Sequence, residues 1–190
     1  MDLINALQTI QKNYAALTEE CIHDLMEVLE IQTIKKNEIL VRKGQYSKVS
    51  YLILEGSIRV YYLKDDKDIS DWFAFENEFV TPIVSFFGDK PSPHYIQAME
   101  DCIVAKSSKD NIDRLCKKHP CLETFVKHVV TDVMLKQQRR ISTILFYTAE
   151  EKYAVMKEAY QECMNRIPLK HVASHLGMTL ETLSRVRAKI

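Results

Sequence analysis

Four glycines and five prolines in 190 residues leave little material for the glycine-rich loops that cradle phosphates. No Gly-x-Ser-x-Gly occurs, and no pair of acids sits in a recognisable acid–base setting. The chain is therefore not expected to be an enzyme. No stretch approaches the ~20 apolar residues of a membrane span, and residues 1–10 lack the basic-then-apolar layout of a signal peptide. Cysteines 21, 102, 116, 121 and 163 are odd in number and scattered, which fits free thiols in a reducing compartment rather than a disulfide framework. A cytoplasmic protein with no membrane partner is the expectation. A surplus of charge is missing as well: 26 basic residues face 26 acidic ones. Proteins that bind phosphate backbones usually carry excess positive charge, so an evenly spread neutrality would argue against nucleic acid.

The charge is not evenly spread. Residues 1–115 hold 13 Lys and Arg against 19 Asp and Glu, residues 116–148 hold 6 against 2, and residues 149–190 hold 7 against 5. An acidic front half masks a basic rear. That asymmetry fits either a solvated surface or a phosphate-binding one. With 46% hydrophobic residues the composition is that of a folded protein with one or two domains, and wholly disordered or collagen-like chains are excluded.

Leu3, Ile4, Leu7 and Ile10 recur at helical spacing, and a second helix follows Thr18 as its N-cap, with Ile22, Leu25, Met26 and Leu29 as its apolar face. From Ile31 to about Ala105 the texture changes to short apolar runs, at 39–41, 51–54, 58–63, 72–75 and 103–105, separated by turn residues. Such spacing predicts many short strands in a compact β-sandwich or roll. Gly44 and Gly56 fall at strand ends, and Gly88 reads as part of a loop ahead of Pro91 and Pro93. Ser107 or Ser108 caps a short helix to about Lys118, and Pro120 opens a longer one. That helix carries a wide apolar stripe through Leu122, Val126, Val129, Val130, Val133, Met134, Ile141, Ile144 and Leu145. The stripe fits a dimer seam or a core helix within one subunit. A further helix is expected from Glu150 to Asn165, ended by Ile167 and Pro168.

Residues 168–190 carry the most specific pattern. Val172, Ala173 and Leu176 mark the inner face of one helix, Gly177 supplies a tight turn, and Thr179 is a plausible N-cap. Leu183 and Val186 mark the inner face of the next. A small residue four places before the glycine and a large apolar one six places after it form the helix-turn-helix template, whose second helix enters the DNA major groove. The outward set is Leu180, Glu181, Thr182, Ser184, Arg185 and Lys189. Glu181 can accept from cytosine N4, Arg185 can fork onto guanine, and Ser184 can bond a base edge or phosphate. On a helix without that role, Glu181 and Arg185 would be an ordinary i,i+4 pair. His171 and His175 have the spacing of helical zinc ligands, but no third ligand is apparent; no metal is expected.

The chain resembles the Crp/Fnr superfamily of bacterial transcription regulators through Lys43–Gly44, the strand–turn–strand at 51–61, residues 96–101 and the run 176–185. The resemblance covers nearly the whole length. It implies an α+β fold: an N-terminal double-stranded β-helix, or β-roll, of the cyclic-nucleotide-binding kind with flanking helices, then a long dimerisation helix and a C-terminal helix-turn-helix without an obvious wing. The expected divisions are a sensor domain over 1–115, a dimerisation helix or linker over 116–148, and a DNA-binding domain over 149–190. The expected partners are double-stranded DNA, a second copy of the chain and a small-molecule effector. Residues 179–189 would read a palindromic operator through Thr179, Glu181, Thr182, Ser184, Arg185 and Lys189, with Lys170 adding phosphate contact. The alternative is a ligand-sensing or protein-interaction module that no longer binds DNA.

Family members that bind cAMP carry a Phe-Gly-Glu in the loop before the segment matched here by 96–101, and an Arg-Ser/Thr pair some ten residues on. Here residues 79–85 hold no glycine or glutamate, and Ser92 takes the arginine's place. A buried cyclic phosphate without its charged partner binds poorly, so cAMP is not the expected effector and no cofactor is expected. Ser85, Ser92, His94 and Tyr95 are the polar candidates for another ligand, or else part of a filled core. An iron–sulfur site of the kind the Fnr name suggests needs clustered cysteines near the N-terminus, and only Cys21 lies there.

Overall fold

The computed structural model describes residues 3–65, 67–161 and 163–189. Helix α1 (Leu3–Asn13) and helix α2 (Glu19–Val28) pack Leu7, Ile10, Cys21 and Leu25 inward. Thr18 caps α2, its hydroxyl accepting from the Cys21 N–H at 3.2 Å.

Eight strands follow: β1 (Glu30–Ile34), β2 (Ile39–Val41), β3 (Val49–Glu55), β4 (Ile58–Lys64), β5 (Lys67–Ala74), β6 (Phe79–Val80), β7 (Tyr95–Ala98) and β8 (Cys102–Ser108). They form two four-stranded antiparallel sheets, ordered β1-β8-β3-β6 and β2-β7-β4-β5. Ile34, Ile53, Ile58, Ala98 and Val104 fill the space between them. This is the roll that the short apolar runs predict. Gly56 joins β3 to β4 at φ +99°, and a Cβ there would stand 2.7 Å from the Asp101 carbonyl oxygen, so only glycine fits. In β5, Trp72 pairs with Val60 and Ser70 with Tyr61, leaving Asp71 as an extra residue in a β-bulge.

Between β6 and β7 lies the short helix α3 (Ile83–Gly88). Gly88 therefore ends a helix instead of lying in a loop, and the left-handed turn falls on Asp89 at φ +52°. Helix α4 (Lys109–Lys118) is capped by Ser108, and helix α5 (Pro120–Phe146) starts at Pro120, which needs no N–H partner at that position. Leu122 and Phe125 pack against the α1–α2 layer. Farther along, Met134, Leu135, Ile141, Leu145 and Phe146 are exposed.

Two residues, Tyr147 and Thr148, connect α5 to helix α6 (Ala149–Ala159). Thr148 and Glu151 form a capping box. This helix stops short of the expected Asn165, and a single 3-10 turn over Met164–Arg166 replaces its end. The cause is non-local, because Arg166 turns back to the carboxylates of Glu76 and Glu100 at the roll. Helix α7 (Leu169–His175) and helix α8 (Leu180–Lys189) complete the chain. Among the described residues no helix is long and apolar enough to cross a membrane.

Candidate nucleic-acid interface and ligand cavity

The α7–α8 pair is built around Gly177 at φ +65°, a conformation that costs a side chain dearly. The Met178 N–H returns to the Ala173 carbonyl at 3.0 Å, closing the turn. Thr179 caps α8, its hydroxyl accepting from the Thr182 N–H at 3.1 Å. Val172, Ala173, Leu176, Leu183 and Val186 are buried, and most of them pack with Met156 and Ile167 on Phe73 and Phe75 of the roll. With 3.6 residues per turn, Glu181, Ser184, Arg185 and Ala188 fall opposite Leu183 and Val186.

Glu181, Ser184, Arg185 and Lys189 are exposed, as are Thr179 and Lys170, and Thr182 is half-buried. The Arg185 guanidinium reaches the Thr182 hydroxyl at 3.5 Å. Lys189 Nζ stands 3.2 Å from Glu150 on α6. Lys170 lies on α7, the first helix of the pair. Arg187, also exposed on α8, adds a cation that the motif pattern does not single out.

A seam that sequence cannot show holds this pair to the roll. Arg59 is 3% exposed. It donates to Asp68 at 2.6 Å, to Ser70 at 3.3 Å and to His171 Nδ1 at 2.6 Å. The Ser70 N–H donates to the Ser174 hydroxyl at 2.7 Å. Arg140, from α5, pairs with Asp71 at 3.1 Å and donates to the Ser70 carbonyl at 3.2 Å and to His175 Nδ1 at 3.4 Å. Arg166 forks onto Glu76 at 2.8 and 2.9 Å. Burial, reinforced by Arg59, pushes His171 down to about 4. Burial, reinforced by Arg140, pushes His175 down to about 3. Both imidazoles accept from arginines through Nδ1 here.

Glu20, Asp24 and His119 converge at the ends of α2 and α4. Lys118 Nζ already lies 2.6 Å from Asp24, and His119 Nε2 lies 2.7 Å from it. Those two hydrogen bonds hold the Asp24 carboxyl down to about 2.

A cavity of about 400 Å³ lies between the roll and α5, walled mostly by apolar side chains from β3–β6 and from α1 through α5. Of the four polar candidates, His94 stands on this wall. The Ser85 hydroxyl accepts from the Ser47 N–H at 2.7 Å, and the Ser92 hydroxyl donates to the His94 carbonyl at 2.9 Å. Tyr95 stacks on Tyr61 with ring centroids 5.1 Å apart. These three side chains are engaged within the roll and do not line the cavity. Asp71, Trp72 and Gln137 do; nothing in their local sequence marks them.

Residues 31–119 match the family described as the cyclic nucleotide-binding domain. The chain is 22% identical over 190 residues to the anaerobic regulatory protein of Pasteurella multocida, covering 92% of this chain and 68% of that protein. It is 24% identical over 186 residues to the fumarate and nitrate reduction regulatory protein of Salmonella typhi, covering 90% and 72%. Among solved structures, FixK2 from Bradyrhizobium japonicum superposes with a TM-score of 0.75 at 16% identity, over 85% of this chain and 84% of that one. The c-di-GMP-responsive regulator CLP from Xanthomonas campestris does so at 0.72 with 15% identity, over 90% and 91%. At these identities the structural likenesses establish the fold.

Proposed function

The chain belongs to the Crp/Fnr superfamily of transcription regulators, and from that premise we propose that it binds double-stranded DNA as a homodimer under the control of a small-molecule effector. The observation that carries this reading is the α7–Gly177–α8 arrangement, with its apolar side buried and Glu181, Ser184 and Arg185 exposed together. A solvated surface helix has no need of the flanking turn geometry, whereas a recognition helix does. Arg185 forks onto guanine, Glu181 accepts from cytosine N4, and Ser184 bonds an adjacent edge or phosphate. Thr179, Thr182, Lys170 and Lys189 position the helix on the backbone.

The exposed apolar end of α5 supports the dimer. Leu145 is 66% exposed and Phe146 78%, with Met134, Leu135 and Ile141 on the same helix. A two-fold seam there pairs like with like and sets two recognition helices about one DNA turn apart, ~34 Å, on a palindromic operator. The roll is the sensing part, and its effector is not cAMP: no Lys or Arg lines the cavity to pair a cyclic phosphate.

Gel-shift binding to genomic fragments, with and without Arg185→Ala, tests the DNA reading. Specific binding is expected to fall at least tenfold in the variant, the cost of one bidentate base contact; undiminished binding sinks the assignment. Retention by the unmodified chain should weaken steeply with salt. A chain that never retains DNA is the interaction module instead. Thermal shift with cAMP and cGMP should show no stabilisation at micromolar concentration, and clear stabilisation by either overturns the reading of the roll.

A further inference from the structure

His94 is 4% exposed, and among the described residues it has an unusual standing: neither Nδ1 nor Nε2 has a hydrogen-bond partner. Burying polar atoms without partners costs free energy, and native folds seldom leave them so unless something else completes them. The ring is fixed in place, with Tyr62 set edge-on to it at 5.5 Å and 82°. It stands on the wall of the cavity between the roll and α5. The same wall includes Leu52, Val60 and Trp72 from the strands and Val129, Val133 and Met134 from α5.

We infer that this cavity takes a neutral, mainly aliphatic small molecule whose single hydroxyl or amide group bonds the His94 imidazole. An uncharged imidazole offers one donor and one acceptor, and a hydroxyl or amide can answer either. An anionic head is disfavoured on two counts. No Lys or Arg lines the wall, and its one acid, Asp71, already has its cation in Arg140 at 3.1 Å. About 400 Å³ suits a small ligand, and an apolar wall this extensive rewards a hydrocarbon body. Val133 and Met134 belong to the helix proposed to join two subunits, so an occupant touches the element that sets the spacing of the DNA-reading pair. The inference rests on the reading of the roll as a sensing domain and names the ligand class for it.

Trp72 is the sole tryptophan of the chain and lines both this cavity and the one beside the seam, so its fluorescence reports a bound molecule in the intact protein and the His94 and Val133 variants assign it to this cavity. Titration with 1-decanol is expected to give a saturable change, and decanoate and cAMP to bind at least tenfold more weakly. His94→Leu should weaken decanol about fivefold, the effect of one net hydrogen bond. Val133→Phe, which fills the cavity from α5, should abolish binding with the circular dichroism spectrum unchanged. The inference is overturned if decanol gives no saturable signal, if the anions bind as well, or if His94→Leu binds unchanged. A Soret shift on adding ferric haem that His94→Leu removes also overturns it, because the imidazole is then a metal ligand. Failure of DNA retention in the gel-shift assay strikes the regulator reading alone, and failure of the decanol titration strikes the ligand assignment alone.

Discussion

Along β5, Trp72 turns towards α5 across an apolar cavity, whereas Phe73, one residue on, packs among the helices α6 and α7–α8. The first contact is apolar and incompletely filled. The second is an apolar cluster ringed by Arg59, Arg140 and Arg166 with their acids and imidazoles, beside a cavity of about 590 Å³ whose wall includes Lys136, Arg139 and Arg140. Dispersion and burial have little directional demand, so the cavity side can accept occupants of varied shape. Charge-assisted hydrogen bonds are short and directional, so the seam holds one geometry well and intermediate geometries badly. The same roll thus presents an adaptable surface on its cavity side and an exacting one to the C-terminal helices.

Removing the centre of the seam should do the most. Phe73→Ala leaves a void beneath α7 and is expected to destabilise the fold by about 3–5 kcal/mol in chemical denaturation. Val130→Ser, on the partly exposed cavity side of α5, should change the stability of one subunit by less than about 0.5 kcal/mol. Equal effects would erase the contrast. Arg166→Ala should come next, at about 1–2 kcal/mol, because its carboxylate partners are only partly buried and remain hydrated. It should also expose the Tyr147–Thr148 link to proteolysis, and unchanged digestion would show that the ion pairs do not hold the helices down. Gly177→Ala, which forces a side chain into φ +65°, should cost about 1 kcal/mol and weaken DNA retention more than that figure suggests.

Acid tests the seam through its histidines. His171 and His175 are held neutral in the folded seam, below the ~6.5 of a free imidazole. In the unfolded chain they bind protons first as the medium is acidified, so their contribution is present above pH ~6.5 and declines towards pH 4. The melting temperature should therefore drop between pH 7 and 5 and stay level from 7 to 8. His175→Gln should shallow that drop; an unaltered slope would assign it to other groups.

Much of this fold was legible because its signals are local. Thr18 and Ser108 cap helices where a short polar side chain precedes an apolar period, Pro120 opens α5, and Gly177 makes the turn of the DNA motif. What was not legible depends on distant partners. Asn165 falls outside α6 because Arg166 is drawn to the roll, and Gly88 closes a helix whose left-handed turn Asp89 supplies. The site divided in the same way. Glu181, Ser184 and Arg185 share a face by helical period alone. The isolation of His94, and the convergence of Asp71, Arg140 and His175, arise from segments far apart in the chain.

The bulge at Asp71 gives that convergence a modular character. Trp72 and Ser70 already face partners that would be adjacent in an uninterrupted ladder, Val60 and Tyr61, so Asp71 is a residue the sheet does not need. Excising it should leave every other β4–β5 pair in register and both faces of the strand unchanged. Only the ion pair between the roll and Arg140 would go. One superfluous position in a strand is thus where one ion pair to the long helix, additional to that of Glu78 with Lys136, can be added or deleted without rebuilding either.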